Sequence, residues 1–228
     1  YVVLSGKEIK TTWRDECFCA HLPDPPLNST YFMFAYPCSY TFFDHVEDEI
    51  RREFQFSDEV RMYAHQVLQK ANVYHLQNAT YVGIHVRRGD YQKRWLSIFK
   101  GVAVNIEYFQ KATEYFRNKY QNVIFLVVSD DRRWCIENLS GRLGVHVTQE
   151  ASSPIHDLAV LAHCNHTVMT YGTFGFWGAY LAGGEVVYFD KFLKLNTSFS
   201  NNNFIFDKMY LPQWKGIVTT NVSLFSWE

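Results

Sequence analysis

Residues 123–128 read Val-Ile-Phe-Leu-Val-Val, six apolar residues in a row, and that run limits the fold more than anything else in the chain. An unbroken apolar run of this length, rich in β-branched residues, predicts a strand buried on both faces. Such strands belong to parallel sheets covered by helices. Further strands are predicted at 81–86, 145–147, 167–170 and 185–189. Helical patterns separate them. One spans 105–120, with Tyr108, Phe109, Ala112 and Phe116 on one stripe, and a short one starts at about Asp131. Another spans 154–162, with Pro154 in its first turn, and the last spans 173–182, stopped by Gly183-Gly184. Strands alternating with helices on short links predict an open, doubly wound α/β sheet. Ligands of such sheets bind beyond the carboxyl ends of the strands, so the residues just after each strand are the informative ones.

The flanks are less regular. Segments 44–54 and 57–77 read as helices, the second capped by Ser57 with Val60, Tyr63, Val67 and Leu68 on one face. Residues 1–56 are otherwise irregular and aromatic, with a stiff Pro23-Asp24-Pro25-Pro26 loop. Residues 190–228 read as a loop-rich tail with a Trp214-Lys215-Gly216 turn.

A net charge of −1 excludes a general nucleic-acid binder, and 47% apolar against 20% charged residues excludes disorder. No apolar run reaches the length of a membrane span, no leader is present, and the chain starts at Tyr1, so a segment of something longer is expected. Six N-x-Ser/Thr sequons occur, at Asn28, Asn78, Asn138, Asn165, Asn196 and Asn221. With 13 Asn and 26 Ser plus Thr in 228 residues, chance would give about 1.5. The excess predicts a protein of the secretory lumen with glycans at Asn28, Asn78, Asn138, Asn196 and Asn221; Asn165 precedes an apolar run and stays open. Five cysteines (Cys17, Cys19, Cys38, Cys135 and Cys164) cannot all pair within one chain.

Three strand ends carry polar clusters. After the first strand, Arg87-Arg88-Gly89-Asp90 offers two guanidinium groups that can grip a diphosphate and a carboxylate that can anchor an arginine or act as a base. The bland reading is a charged strand end. After the second, Ser129-Asp130-Asp131 can hydrogen-bond sugar hydroxyls or hold an arginine, or Asp130 can simply cap the next helix. After the fourth, Tyr171-Gly172-Thr173-Phe174-Gly175 opens a helix whose N–H groups favour an anion, with Thr173 able to cap it and donate to a phosphate. The glycine spacing matches neither a Walker loop nor G-x-G-x-x-G. Asp157, beside Leu158 and Leu161, can accept two N–H groups such as a guanine edge offers, or merely complement a helix dipole. His156, His163, Cys164 and His166 lack the spacing of a helical two-histidine metal site.

The run Gly83-Ile84-His85-Val86-Arg87-Arg88-Gly89-Asp90-Tyr91 resembles the H-x-R-R-x-D motif shared by α1,2-, α1,6- and protein O-fucosyltransferases. Other stretches narrow the resemblance to the animal galactoside α1,2-fucosyltransferases. They are Tyr36-Pro37-Cys38-Ser39-Tyr40, Phe99-Lys100-Gly101-Val102, Trp134-Cys135, Leu211-Pro212 and, above all, the run from Cys164-Asn165-His166-Thr167 through Gly172-Thr173-Phe174-Gly175-Phe176-Trp177. The resemblance covers about residues 31–218.

The resemblance implies a two-Rossmann (GT-B) glycosyltransferase, here one complete doubly wound donor domain plus part of the acceptor domain. Residues 1–78 would be the trailing part of the acceptor side, 79–190 the GDP-fucose-binding domain, and 191–228 a tail packing back on them. It implies metal-independent, inverting transfer of L-fucose from GDP-β-L-fucose to the 2-hydroxyl of a terminal β-galactoside on a glycoprotein or glycolipid. The setting would be the Golgi lumen, behind a type II membrane anchor upstream. Arg88 would hold the diphosphate and stabilise departing GDP, and His85 and Asp157 would contact guanine or ribose. Thr173 and Phe174 would line the phosphate–ribose part, with Arg87 and Asp130 in the donor set and Asp90 the candidate base. Two departures stand out. The family's G-R-L-G-N-Q motif is absent, so the chain alone is expected to bind donor nucleotide without completing transfer. Trp95 occupies the position where the α1,6 relatives have a glutamate. Two other readings stay open: a related fucosyltransferase with another acceptor, and a non-catalytic GDP- or glycan-binding homologue.

Overall fold

The structure is a computed structural model that describes residues 39–98, 101–149, 153–190, 192–193 and 208–219. The elements run α1 (Glu47–Glu53), α2 (Asp58–Ala71), β1 (Thr80–Val86), α3 (Leu96–Ile98), α4 (Ile106–Lys119) and β2 (Val123–Ser129). Then follow α5 (Arg132–Cys135), α6 (Gly141–Leu143), β3 (His146–Val147), α7 (Pro154–Ala162), β4 (His166–Met169), α8 (Thr173–Ala182), β5 (Val186–Phe189) and β6 (Lys215–Ile217). Single π-helical turns, Tyr91–Trp95 and Ile136–Ser140, lead into α3 and α6.

All six strands are parallel, in the order β3-β2-β1-β4-β5-β6. From the central β1 the chain winds outward through β2 and β3, then returns to β4 and winds the other way. The carboxyl ends of β1 and β4 therefore flank the switch point, where open α/β sheets leave a crevice. The expected α/β class and all five predicted strands are present. β6 is an addition: residues expected to form a turn in a loose tail pair with β5, Val187 opposite Lys215 and Phe189 opposite Ile217.

The predicted double burial of the second strand holds. Ile124, Leu126 and Val128 join a core with Val60, Ala64, Leu68 and Ala71 of α2 and Ala159, Val160 and Leu161 of α7. Phe125 and Val127, of opposite alternation, are also buried. Each such apolar side chain contributes about 1.5–3 kcal/mol relative to exposure. On α4, Tyr108, Phe109, Ala112 and Phe116 are buried, Asn105 Oδ1 caps the helix at Tyr108 N, and the buried Tyr108 hydroxyl donates to the carbonyls of Met169 (2.6 Å) and Val187 (3.1 Å). That bond ties α4 to β4 and β5.

Two helix boundaries differ from expectation. The helix at 57–77 ends at Ala71, because Asn72 folds back, its amide donating to Leu76 O and its Oδ1 accepting from Leu76 N. The helix at 44–54 is a 3-10 turn, Asp44–Val46, followed by α1. Contacts divide the chain into two units, 1–47 with 196–212, and 48–195 with 213–228.

Among the described residues no helix is long and apolar enough to cross a membrane. Cys135 and Cys164 are buried free thiols, and burial pushes them up to about 11 and about 12. Cys17, Cys19 and Cys38 lie outside the described residues, as do Asn28, Asn196 and Asn221. Asn78 is exposed in a left-handed turn (φ 53°) at the amino end of β1. Asn138 is half-buried, its amide bonded to Trp134 O, and Asn165 Oδ1 accepts from Tyr81 N.

Candidate active site

The exit of β1 is stitched to its two neighbours. Ser129 Oγ donates to Val86 O (2.8 Å), Arg88 N donates to Asp130 Oδ1 (2.9 Å), and Arg87 N donates to Thr170 Oγ1 (3.1 Å). Asp130 thus holds the backbone and also receives Arg87 Nη1 on its other oxygen (3.2 Å). Gly89 is required here: a Cβ at this position would stand 2.6 Å from Asp130 Oδ2. Of the readings left open for Asp130, the hold on an arginine is present and the helix cap is not. Its neighbour Asp131 caps α5 instead, accepting from Trp134 N.

The two arginines part company. Arg88 lies over Trp134, its Cζ 3.7 Å from the ring centroid, with Nε on Asp131 Oδ2 (3.1 Å) and Nη2 on Gln92 Oε1 (3.0 Å). Its side chain is only 12% exposed, and these bonds occupy two of its five N–H donors. Arg87 is more open, at 35%, and bridges Asp90 Oδ1 (2.8 Å) and Asp130. The second oxygen of Asp90 accepts from the Trp95 indole (3.1 Å). Trp95 therefore holds the candidate base.

His85 forms the floor. It is 3% exposed, and burial, reinforced by Arg87, pulls its imidazole down to about 3, so it is neutral. Its ring lies against Phe174 (centroids 5.5 Å apart) and under Gly175, and its Nδ1 is buried without a hydrogen-bond partner. The helix above it, α8, starts differently from expectation. Its N-cap is Gly172 at φ 92°, a conformation suited to glycine, and no side chain caps it; Thr173 is the exposed first helical residue. The N–H groups of the first turn thus lack intrahelical acceptors and face the crevice end of the sheet. Tyr91, stacked on Tyr171 (4.6 Å, 16°), lies against Gly172.

Asp157 opens α7. Both its oxygens accept from Arg132 Nη2, at 2.8 and 2.7 Å, while Arg132 Nε bonds Thr148 O (3.1 Å) and Nη1 bonds Ser129 O. Arg132 and Gln92 were not singled out from the sequence, and Trp134 entered only through the Trp134-Cys135 stretch of the resemblance, with no contact to Arg88 expected. Gln92 carried a signal, lying four residues past Arg88, whereas Arg132 acts across the fold and carried none.

No group of three or more His, Cys, Asp or Glu side chains able to hold a metal occurs among the described residues. The histidines noted in sequence separate: His156 packs on Tyr63, His163 on His65 and Phe56, and His166 on Tyr120. The site is thus a strand-end network of two arginines and three aspartates beside a helix N-terminus, suited to a phosphorylated ligand with polar edges.

The chain is similar to known proteins over most of its length. The chain is 42% identical over 212 residues to rat galactoside alpha-(1,2)-fucosyltransferase 1, covering 90% of this chain and 54% of that protein. It is 40% identical over 208 residues to mouse galactoside 2-alpha-L-fucosyltransferase Sec1, covering 90% and 55%. The chain spans about half the length of the curated relatives it matches. A solved alpha-1,6-fucosyltransferase, NodZ, soaked with GDP-fucose overlaps 60% of this chain and 46% of its own at 15% identity and a TM-score of 0.42. The model for glycosyl transferase family 11 matches residues 20–218, a span that takes in every strand of the sheet and the whole strand-end network; the chain belongs to that family.

Proposed function

We propose that this chain carries the donor-binding half of an inverting galactoside 2-α-L-fucosyltransferase. It would take GDP-β-L-fucose as donor and a β-galactoside-terminated glycoprotein or glycolipid as acceptor, on the lumenal side of the Golgi. One observation carries the reading: Arg88, held by Trp134 and Asp131, stands at the end of β1, across the switch point from the glycine-led N-terminus of α8. Departure of GDP builds negative charge on the β-phosphate, and a fixed guanidinium with helix N–H groups stabilises it without a metal. The cost of aligning Arg88 is met in advance by its contacts, so little reorganisation accompanies the reaction.

In this reading His85 and Phe174 form the floor under the nucleoside, and Asp157 accepts from the base. Arg87, with Asp130 and Asp90, shapes the sugar side. Both Asp90 oxygens are engaged, by Arg87 and by Trp95, so acting as base would cost it one of those bonds. An oxocarbenium-like transition state asks less of a base than of the leaving-group site, and we place the main burden on Arg88. Glycans at the exposed Asn78 and at Asn28, Asn138, Asn196 and Asn221 fit a lumenal setting.

The test is a donor screen with the full-length protein and lactose as acceptor, following GDP release and product linkage by NMR. Release from GDP-fucose with a new α1,2 linkage to galactose is expected. Release from GDP-mannose alone, or a linkage elsewhere, overturns the reading.

A further inference from the structure

We propose that Arg132 is a positioning residue for nucleobase recognition: it fixes the carboxylate of Asp157 so that it accepts from guanine, and thereby sets the preference for a guanine nucleotide. This rests on the GDP-sugar reading above and adds a residue to it. All three guanidinium nitrogens of Arg132 are bound, each to a different part of the sheet's carboxyl edge. Nη1 holds Ser129 O at the end of β2, Nε holds Thr148 O just past β3, and Nη2 holds Asp157 in the first turn of α7. A planar guanidinium bound on three sides cannot rotate, and a lysine could not reproduce those three directions. The pair is largely shielded, Arg132 at 18% and Asp157 at 16% side-chain exposure, so water does little to weaken it.

Two consequences follow for a ligand. First, Arg132 balances the charge of Asp157, which would otherwise oppose an anionic nucleotide arriving at the same strand ends. Second, Nη2 contacts both oxygens, which fixes the carboxylate plane, and a carboxylate offers about four acceptor sites in all. Guanine presents N1–H and a 2-amino donor on one edge. Hypoxanthine keeps N1–H and lacks the amino group. A carboxylate held in one orientation discriminates between them; a swivelling one does so less.

The experiment is calorimetric titration of the full-length protein with GDP and with IDP, in wild type, Arg132→Lys, Arg132→Gln and Asp157→Asn. A hydrogen bond to a charged group predicts wild type favouring GDP over IDP by about tenfold or more. Arg132→Gln and Asp157→Asn should each bring that ratio close to unity. In a parallel steady-state assay of GDP release from GDP-fucose, Arg132→Lys should raise KM for the donor about tenfold with kcat nearly unchanged, a split that general loosening of the fold would not give. If both Arg132 variants keep the wild-type ratio while Asp157→Asn loses it, the positioning claim fails and the base contact stands. If Asp157→Asn keeps the ratio, the base contact fails and the claim with it. Tighter GDP binding in Arg132→Gln would make Arg132 an occluding residue and overturn the proposal. So would loss of folding in both Arg132 variants, which would assign it to the scaffold alone.

Discussion

Gly175→Ala should damage this protein through one identifiable contact. An added Cβ would stand 2.4 Å from His85 Nδ1, 3.0 Å from Cγ and 3.1 Å from Cε1. The histidine ring cannot yield easily, being 3% exposed and backed by Phe174. Relief needs a shift of roughly half an ångström in a close-packed interior, and overpacking of that kind costs about 1–3 kcal/mol. Alanine's advantage over glycine within a helix, about 0.5–1 kcal/mol, offsets part of it. The net expectation is a loss of about 1–2 kcal/mol, or roughly 2–8 °C in Tm for a unit of this size. Thermal unfolding followed by circular dichroism checks it. The decisive comparison is the cycle with His85→Ala. Removing the ring removes the obstacle, so Gly175→Ala should become neutral or slightly stabilising in that background, a coupling of about 1–3 kcal/mol. Equal destabilisation in both backgrounds would refute the contact as the cause. Gly141→Ala is the control, because nothing lies within 4 Å of its added Cβ.

Acid should act through two groups of opposite kind. His85 is held neutral with its pKa lowered from 6.5 to about 3, so the unfolded chain binds the extra proton first and stability falls with pH from about 6.5 toward 3. The slope is about 1.4 kcal/mol per pH unit for this one proton and should be missing from His85→Gln in chemical denaturation at stepped pH. Glu185 accepts from Tyr115, Tyr120 and Lys119; burial raises its pKa, but those three bonds outweigh it and hold the carboxyl at about 2. Glu185→Gln should therefore cost about 1 kcal/mol, discounted for a third-exposed side chain, and the cost should be constant above pH 4.5 and shrink below it.

What the sequence revealed divides along a physical line. Periodicity reports burial, so the apolar run at 123–128 and the stripe Tyr108, Phe109, Ala112 and Phe116 located their elements to within a residue. β6 escaped because it is a three-residue edge strand with Lys215 and Gly216 exposed, leaving no apolar signal. Asp130 and Asp131 are chemically alike, and only the start of α5 at Arg132 decides that Asp131 caps it and Asp130 holds Arg87. Thr173 spells a cap, yet Gly172 at φ 92° takes that place, a choice made by backbone geometry. Arg132 and Asp157 are 25 residues apart and meet only once β2, β3 and α7 are in place, so no local pattern announces them.

The central claim is that Arg88 stabilises the departing nucleotide, and turnover of Arg88→Ala in the full-length protein tests it most directly. With GDP-fucose and lactose at saturation, the rate of GDP release should fall about 10²–10³-fold, the scale of one lost preorganised donor at a developing charge. Tm should also fall by several degrees, because a side chain only 12% exposed, stacked on Trp134 and paired with Asp131 is lost, so turnover is compared at a temperature where both proteins are folded. Turnover within a few-fold of wild type would contradict the account.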